Sequence, residues 1–546
     1  MKKNRFMPLW LALAAIIGIA IGSFYGIQSS GNRLSITIKA GANKLSNLLS
    51  GIDKQYVDSV DVDELVEKAI PLILSELDPH SVYISSDDVE LAEDDLRGSF
   101  FGIGIEFTIR NDTLRVQSVI SGGPAERAGV LAGDKIVTVD DSTFTGPDLT
   151  NEIAMHTLKG PQGTQVKLGV VRGPEGRPRT FTLVRDRIET HSVTAAYMLD
   201  DATAYVKIKN FGETTYEELI IALAQLSMEG FSRLVIDLRH NTGGYLQSAV
   251  NIAQQFLPRN SLVVYTEGLH YPRDNYYSSG RGSYIHMPLV VLIDEGSASA
   301  AEIVAGAIQD NDRGTIIGRR SFGKGLVQQP IPFTDGSLMR LTIARYYTPS
   351  GRCIQKPYTS GMDREYEEDM ILRYEHGEFF SQDSIKHTGP AYHTRLGRTV
   401  YGGGGITPDI FISEDTTGIT LYYREAAYSG LIQQFCYEYT DQHRQTLADL
   451  TDDLALERYL LRQHIVDLFV QYADSHGLKR RNLMIQRSRQ LLQHDIISRI
   501  VYTMLDEQTC IQYLNRDDPA VKEAIRVLKE GKAFPEPPED GPSGED

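Results

Sequence analysis

The chain has 546 residues, with 55 lysines and arginines against 72 aspartates and glutamates and a net charge of −17. An apolar share of 41% and a charged share of 23% are those of folded protein, and the length predicts about three to four domains rather than one core. The acidic balance, with no basic stripe interleaved with aromatics, excludes a nucleic-acid binder. The first residues are basic (Lys2, Lys3, Arg5), and Pro8 to Ile27 carries no charge. As a helix of about 30 Å that stretch reaches across a bilayer core. Residues 1–7 are therefore read as a cytoplasmic basic segment and 8–28 as a transmembrane signal anchor, with the remainder outside. A cleaved signal peptide is the rival reading, set back by the missing small-residue exit.

Residues 29–85 are predicted to be helical, with Leu45, Leu48, Leu49 and Ile52, then Leu65, Ile70, Leu72, Ile73 and Leu77, at helical spacing. The turn Leu77-Asp-Pro-His-Ser-Val-Tyr83 closes this region, and His80, beside Asp78-Pro79, reads as a loop hydrogen-bonding residue. In residues 86–185, the run Gly102, Ile103, Gly104, Ile105 resembles the carboxylate-binding loop of PDZ domains. Gly123-Pro-Ala-Glu-Arg-Ala-Gly129 and Gly133-Asp134 resemble the next segment of such domains. Glycines at 102 and 104 let backbone N–H groups converge on a terminal carboxylate, while Ile103 and Ile105 offer an apolar pocket. The resemblance implies a peptide adding as an extra strand between the loop strand and a helix expected near 148–158.

From Ile188 longer apolar runs alternate with helical periods, an α/β pattern. The strand Leu234–Leu238 exits into Arg239-His-Asn-Thr-Gly-Gly-Tyr245, where Asp237 reads as the anchor of the turn. Neither lysine nor Ser/Thr follows Gly244 as a phosphate loop requires. A second apolar run, Pro288–Asp294, breaks at Gly296 and continues as the helix Ser297–Gln309, with Ile303, Val304, Ala307 and Ile308 on one face. Ser299 thus stands among the first free N–H groups of a helix. It reads either as a helix cap or as a nucleophile whose oxyanion meets the N–H of Ala300. Beyond the strand Thr315–Arg320 comes Ser321-Phe-Gly-Lys-Gly-Leu-Val-Gln-Gln329, a lysine between glycines in a segment without an acid. A free lysine is neutral in roughly one molecule in 2,500 at pH 7. Burial away from carboxylates lowers its pKa and lets it act as a base.

Gly296-Ser-Ala-Ser-Ala-Ala-Glu302 followed by Phe322-Gly-Lys-Gly-Leu-Val-Gln328 resembles the carboxyl-terminal processing (tail-specific) proteases of peptidase family S41. Leu341–Arg352 and Gly405–Ile410 resemble two further motifs of that family. The resemblance implies an α/β multidomain chain with a ClpP/crotonase-like serine protease core over 186–415 and an inserted PDZ domain. It implies Ser299 as nucleophile, Lys324 as general base, Gln328 as the residue orienting the lysine, and Ala300 with Gly243, or Gly244, as oxyanion donors. The enzyme so implied sits in a bacterial inner membrane and faces the periplasm, or is secreted there. It cleaves proteins near their C-termini after the PDZ domain takes the carboxylate, without cofactor or metal. His240 intrudes into the family's turn and is not assigned as a base. None of the 13 histidines stands in a recognisable Ser/His/Asp context.

Residues 359–400, polar and tyrosine-rich, read as an insertion in the core. Residues 416–532 are predicted to be a C-terminal helical domain, with Leu461, Ile465, Leu468, Phe469 and Tyr472 on one face and Ile497, Ile500, Val501 and Met504 on another. These faces suit a core, an oligomer or an adaptor. Residues 533–546, proline-rich and acidic, read as a disordered tail. Cys353, Cys436 and Cys510 show neither disulfide nor metal spacing. The competing functions are a PDZ scaffold with an inactive protease fold and a crotonase-like hydrolase of small molecules.

Overall fold

The computed structural model describes residues 40–537, apart from 174, 175, 177, 360, 362 and 388. The expected basic segment and anchor, and the tail from 538, lie outside the described residues. Among the described residues no helix is long and apolar enough to cross a membrane. The chain divides between Leu72 and Ile73 into two units, the first holding the helix Ala40–Gln55 and most of Val62–Ser75.

In the second unit, Val193–Asp200, Thr203–Ile208, Arg233–Asp237, Leu289–Ile293, Thr315–Gly318 and Ile410–Phe411 form one six-stranded sheet in that order. The first pair is antiparallel and every later pair parallel, with Ile236 beside Val291 and Val291 beside Ile316. Parallel strands demand cover on both faces, and alternate side chains supply it. Val206, Ile236, Val291 and Ile316 pack on residues of the helices Thr215–Glu229, Leu246–Ala253 and Ala300–Asp310. Tyr205, Val235, Val290 and Ile317 pack instead on Ala520, Val521, Ala524 and Leu528 of the last helix, Pro519–Lys529. The second layer of this core therefore comes from the far end of the chain. Ala533 is fully buried and its carbonyl accepts a hydrogen bond from Thr315 Oγ1 at 3.1 Å, so packed structure continues into the stretch read as tail.

A second sheet joins Val82–Ile84, Leu338–Tyr347, Leu262–Glu267 and Asp274–Tyr277, and Leu326–Pro332 pairs with Leu338–Tyr347. The segment read as a PDZ domain is a sheet of Ile105–Arg110, Thr113–Val119, Lys135–Val139, Gln165–Val171 and Arg179–Val184, with Ser142–Thr143 beside the third. Its helix, Asn151–Leu158, begins at Thr150, whose side chain accepts the Ile153 N–H at 3.2 Å. One antiparallel ribbon, Ser99–Gly102 with Asp186–Glu189, carries the chain in and out of this module.

The C-terminal helices share a core that includes Tyr422, Phe435, Leu460, Phe469, Leu492 and Ile497. The single face expected from Leu461 to Tyr472 is broken. The helix Asp453–Arg462 ends, His464 turns left-handed at φ +53°, and a separate helix, Ile465–Ser475, begins. Leu461 is left exposed while Ile465 and Phe469 are buried. The insertion contains a helix, Asp363–Glu375, and a short hairpin, Ala391–His393 with Thr399–Tyr401.

Candidate active site

The fully buried strand Leu289–Ile293 leaves the sheet through a turn that its own side chains tie down. Asp294 Oδ1 accepts the N–H groups of His240 (2.8 Å) and Gly296 (3.0 Å), and the Ser297 hydroxyl donates to the Leu238 carbonyl at 2.8 Å. Ser299 is the last residue before the helix, at φ +54° and ψ −114°. A non-glycine residue enters that region only where its surroundings impose it. Its N–H donates to Glu302 Oε2 at 2.8 Å. Gly243 lies directly against it: a Cβ there would fall 2.7 Å from Ser299 Cβ and 3.0 Å from Ala300 N, so only glycine fits.

The lysine loop is fastened to the same two residues that hold Ser299. Fully buried Glu302 accepts the hydroxyl of Ser321 (2.5 Å) and the N–H groups of Gly323 (2.8 Å) and Lys324 (2.9 Å). The buried Tyr346 hydroxyl sits between the carbonyls of Ser299, at 3.0 Å, and Lys324. Lys324 Nζ donates to Gln328 Oε1 at 3.3 Å, and Gln328 Nε2 donates in turn to the His80 carbonyl. Among the described residues no carboxylate pairs with this ammonium. Burial, then the neighbouring Arg340 guanidinium, push Lys324 below its ordinary value against the weaker pull of Asp78 and Glu302. Burial pushes Glu302 itself up to about 7.

His80 is a hydrogen-bonding loop residue, its ring meeting the Tyr366 hydroxyl at 2.9 Å. Burial, then the Lys324 charge, lower it to about 4. Tyr366 lies on the inserted helix and also receives Gln355 Nε2 at 3.3 Å, while Gln355 Oε1 accepts the Gly325 N–H at 2.8 Å. The insertion thus backs the lysine loop. Reasoning on the sequence missed Glu302, Tyr346 and Tyr366. Glu302 had a legible signal, the Ser-x-x-Glu spacing of a helix start; the tyrosines, far away in the chain, had none.

Ser299, Lys324, Gln328, Gly243 and Gly244 all line one cleft of about 480 Å³, together with Arg340 and, from the helix Val89–Arg97, Ala92, Glu93 and Leu96. The Gly243 N–H is taken by Asn241 Oδ1 at 2.9 Å, so of the two glycines Gly244 has the free N–H among the described residues. The Ala300 N–H is the first of its helix and has no place in the helical ladder. His240 is turned to Asp294, Nδ1 to Oδ2 2.9 Å, and does not line the cleft. Asp237 is buried, accepts the Tyr205 hydroxyl at 2.6 Å and is gripped by Arg239. Burial pushes it up, but the charges of Arg239 and Lys207 prevail and keep it ionised, as befits the anchor of the turn.

In the PDZ segment Ile105–Arg110 pairs only with Thr113–Val119, which leaves its outer edge open among the described residues. Two residues of the loop before it differ from expectation. Ile103 is 2% exposed and packs in the core of the module with Ala154 and Leu158, so it is no open wall of a pocket, whereas Ile105 is only partly buried. Gly104, expected on an open loop, is buried at φ +77°, and its carbonyl accepts the Ile120 N–H at 3.0 Å. A Cβ at Gly104 would fall 3.1 Å from Ile188 Cδ1. Its glycine therefore serves the left-handed turn into the strand and a close approach to Ile188. Gly102, also buried, ends the entering ribbon strand. Among the described residues one group, Asp88, Glu152 and His156, brings potential metal ligands within 4.8 Å of one another. It lies outside the cleft, with Asp88 and His156 already paired at 3.0 Å.

A serine at a strained strand-to-helix turn shares a cleft with a half-buried lysine that has no acid partner among the described residues, an arrangement open to a serine-type peptidase, and comparisons with known proteins give that class. Residues 202–367 match peptidase family S41, residues 102–183 match the PDZ domain, and residues 422–506 match a family of unknown function. The carboxy-terminal-processing protease of Bartonella bacilliformis is 38% identical over 317 residues, 57% of this chain and 72% of the relative. The carboxy-terminal processing protease CtpB of Bacillus subtilis is 33% identical over 317 residues, 58% of this chain and 65% of the relative. The solved photosystem II D1 C-terminal processing protease is 28% identical, covering 67% of this chain and 92% of its own with a TM-score of 0.35. The chain belongs to peptidase family S41, among the carboxy-terminal-processing proteases, and carries a PDZ domain.

Proposed function

We propose that Ser299 is the nucleophile and Lys324 its general base in a Ser/Lys mechanism on a core of the ClpP/crotonase type. Lys324, neutral at working pH, takes the Ser299 proton as the hydroxyl attacks the scissile carbonyl. It gives that proton to the leaving amine, then activates the water that releases the acyl group. Gln328 holds the amine by its one hydrogen bond. The N–H groups of Ala300 and Gly244 receive the oxyanion, with Gly243 in reserve should its bond to Asn241 open. The substrate's C-terminus joins the open edge of Ile105–Arg110, its carboxylate on the backbone of Gly102 to Ile105. Anchored by residues 8–28, the enzyme works on the outer side of a bacterial inner membrane.

The observation that carries this reading is the company of the Lys324 amine: the Gln328 amide and the Arg340 cation, with no carboxylate paired to it among the described residues. An unstructured protein with a free or an amidated C-terminus tests it. Ser299→Ala and Lys324→Ala are each expected to lose cleavage by a factor of about 10³ or more, and amidation to raise KM. Cleavage retained in either variant removes the dyad.

A further inference from the structure

The PDZ sheet and the C-terminal helices enclose a second cavity, about 340 Å³, that shares no residue with the catalytic cleft. Alternation along Thr113–Val119 sends Leu114 and Val116 into the PDZ core and Thr113, Arg115 and Gln117 into this cavity. Arg110 from one neighbouring strand and Lys135 from the other join them, and Arg499 faces them from the helix Asn482–Met504. The lining holds four cations and no carboxylate, in a chain whose net charge is −17.

Arg499 is answered by Asp495 at 2.5 Å. Arg110, Arg115 and Lys135 have no ion pair among the described residues; Arg115 rests 5.3 Å from the centre of the Tyr437 ring. Glu438 and Asp441, the acids whose charges reach Arg115, have hydrogen-bonding partners of their own. Glu438 accepts Gln434 Nε2 and the Tyr472 hydroxyl, both at 3.0 Å, and Asp441 pairs with Arg444 at 2.8 Å. Arg110 also covers Gly430, its Nη1 only 0.8 Å from where a Cβ would stand, and so lays a cation on the electropositive end of the helix Leu431–Ala448. Arg115, Lys135 and Arg499 are half-buried and Arg110 is exposed beside them; like charges so gathered repel one another, and the half-buried ones have lost part of their hydration. A multivalent anion would relieve both costs, since arginine forks match phosphate oxygens two at a time.

We propose that this cavity binds a compact phosphate-class polyanion, which ties the PDZ sheet to the C-terminal helices. The cavity wall includes Thr108 and Arg110 of the strand whose open edge is offered to peptide. That strand is braced from behind as well, the Tyr502 hydroxyl donating to Glu106 at 2.6 Å. Occupancy therefore holds the peptide-taking strand against the helices.

Thermal unfolding and calorimetric titration of the full chain carrying Ser299→Ala, with about 5 mM pyrophosphate or with sodium chloride of equal ionic strength, test this. Pyrophosphate alone is expected to raise Tm by about 3 °C or more. Lys135→Gln, on the outer face of its strand, should weaken pyrophosphate at least tenfold while the far-ultraviolet spectrum stays native. Lys167→Gln, a PDZ lysine outside the cavity, should leave affinity unchanged. An equal rise in sodium chloride, or binding untouched by Lys135→Gln, overturns the inference. Vesicles of phosphatidylglycerol that sediment the chain but not its Lys135→Gln variant, without a pyrophosphate effect, would assign the same chemistry to a lipid headgroup. Binding to neither overturns it.

Discussion

In the Ser/Lys mechanism proposed above, the chemistry turns on one amine. There Lys324 must be neutral to accept a proton, so kcat/KM should rise with pH through its pKa. Two features depress that pKa, burial first and then the Arg340 charge across the cleft. Removing a like charge favours the ammonium and raises the lysine's pKa. Arg340→Ala should accordingly move the acid limb of the kcat/KM profile to higher pH, by about half a pH unit or more. The measurement is a pH–rate profile on a peptide too short to reach the PDZ domain. An unmoved limb would show that Arg340 does not tune the lysine.

At the scale of elements, the helix that begins after Ser299 and the loop that carries Lys324 are joined through Glu302 and Tyr346. Glu302 accepts three backbone N–H groups and one hydroxyl, so its shape is dictated by four donors. Its burial has a pH signature. The folded pKa is raised from 4.5 to about 7, so the folded chain keeps a proton that the unfolded chain has released. That contribution is whole below pH 4.5 and is lost as the pH climbs through about 7. Relative to Glu302→Gln, which does not titrate, wild-type stability should fall by about 3 kcal/mol across that window. Denaturant midpoints of both proteins over a pH series check this; parallel curves would refute it. The amide would also turn N–H donors toward the N–H donors it faces, and its activity should drop with it.

For the whole molecule, the C-terminal helices complete the protease as well as flanking it. The last helix closes the second face of the main sheet, and its cap, Asp518, pairs at 2.6 Å with Arg239 of the turn leading to Gly243. Ala524→Asp would bury an unpaired charge against Val290 and Leu292. It should cost about 3 kcal/mol or more, with activity falling in parallel, whereas exposed Lys522→Ala should stay within about 0.5 kcal/mol. Thermal melts and initial rates of the two variants separate the outcomes. Equal behaviour would mean that this helix is dispensable.

What could be read along the chain was what neighbours along the chain decide. The run Pro288–Asp294, the break at Gly296 and the apolar face after it foretold a strand, a turn and a helix, because hydrophobic period and glycine act over a few residues. Glu302 was within the same reach. The break at His464 was not seen, since Leu461 and Ile465 keep helical spacing across it, and only the folded chain shows His464 left-handed and Leu461 exposed. Gly104 was read as part of a carboxylate-binding loop; its left-handed turn and its close approach to Ile188, a residue of the returning ribbon, were not seen. Tyr346 and Arg340 come to the Lys324 site from one strand, Leu338–Tyr347, and Tyr366 backs its loop through Gln355 from the inserted helix. The last helix lies on strands more than two hundred residues away. Such contacts carry no local pattern: burial and charge at a site are sums over whatever the fold brings together, and those sums, which lower the pKa of Lys324 and leave Arg115 without an ion pair among the described residues, exist only in three dimensions.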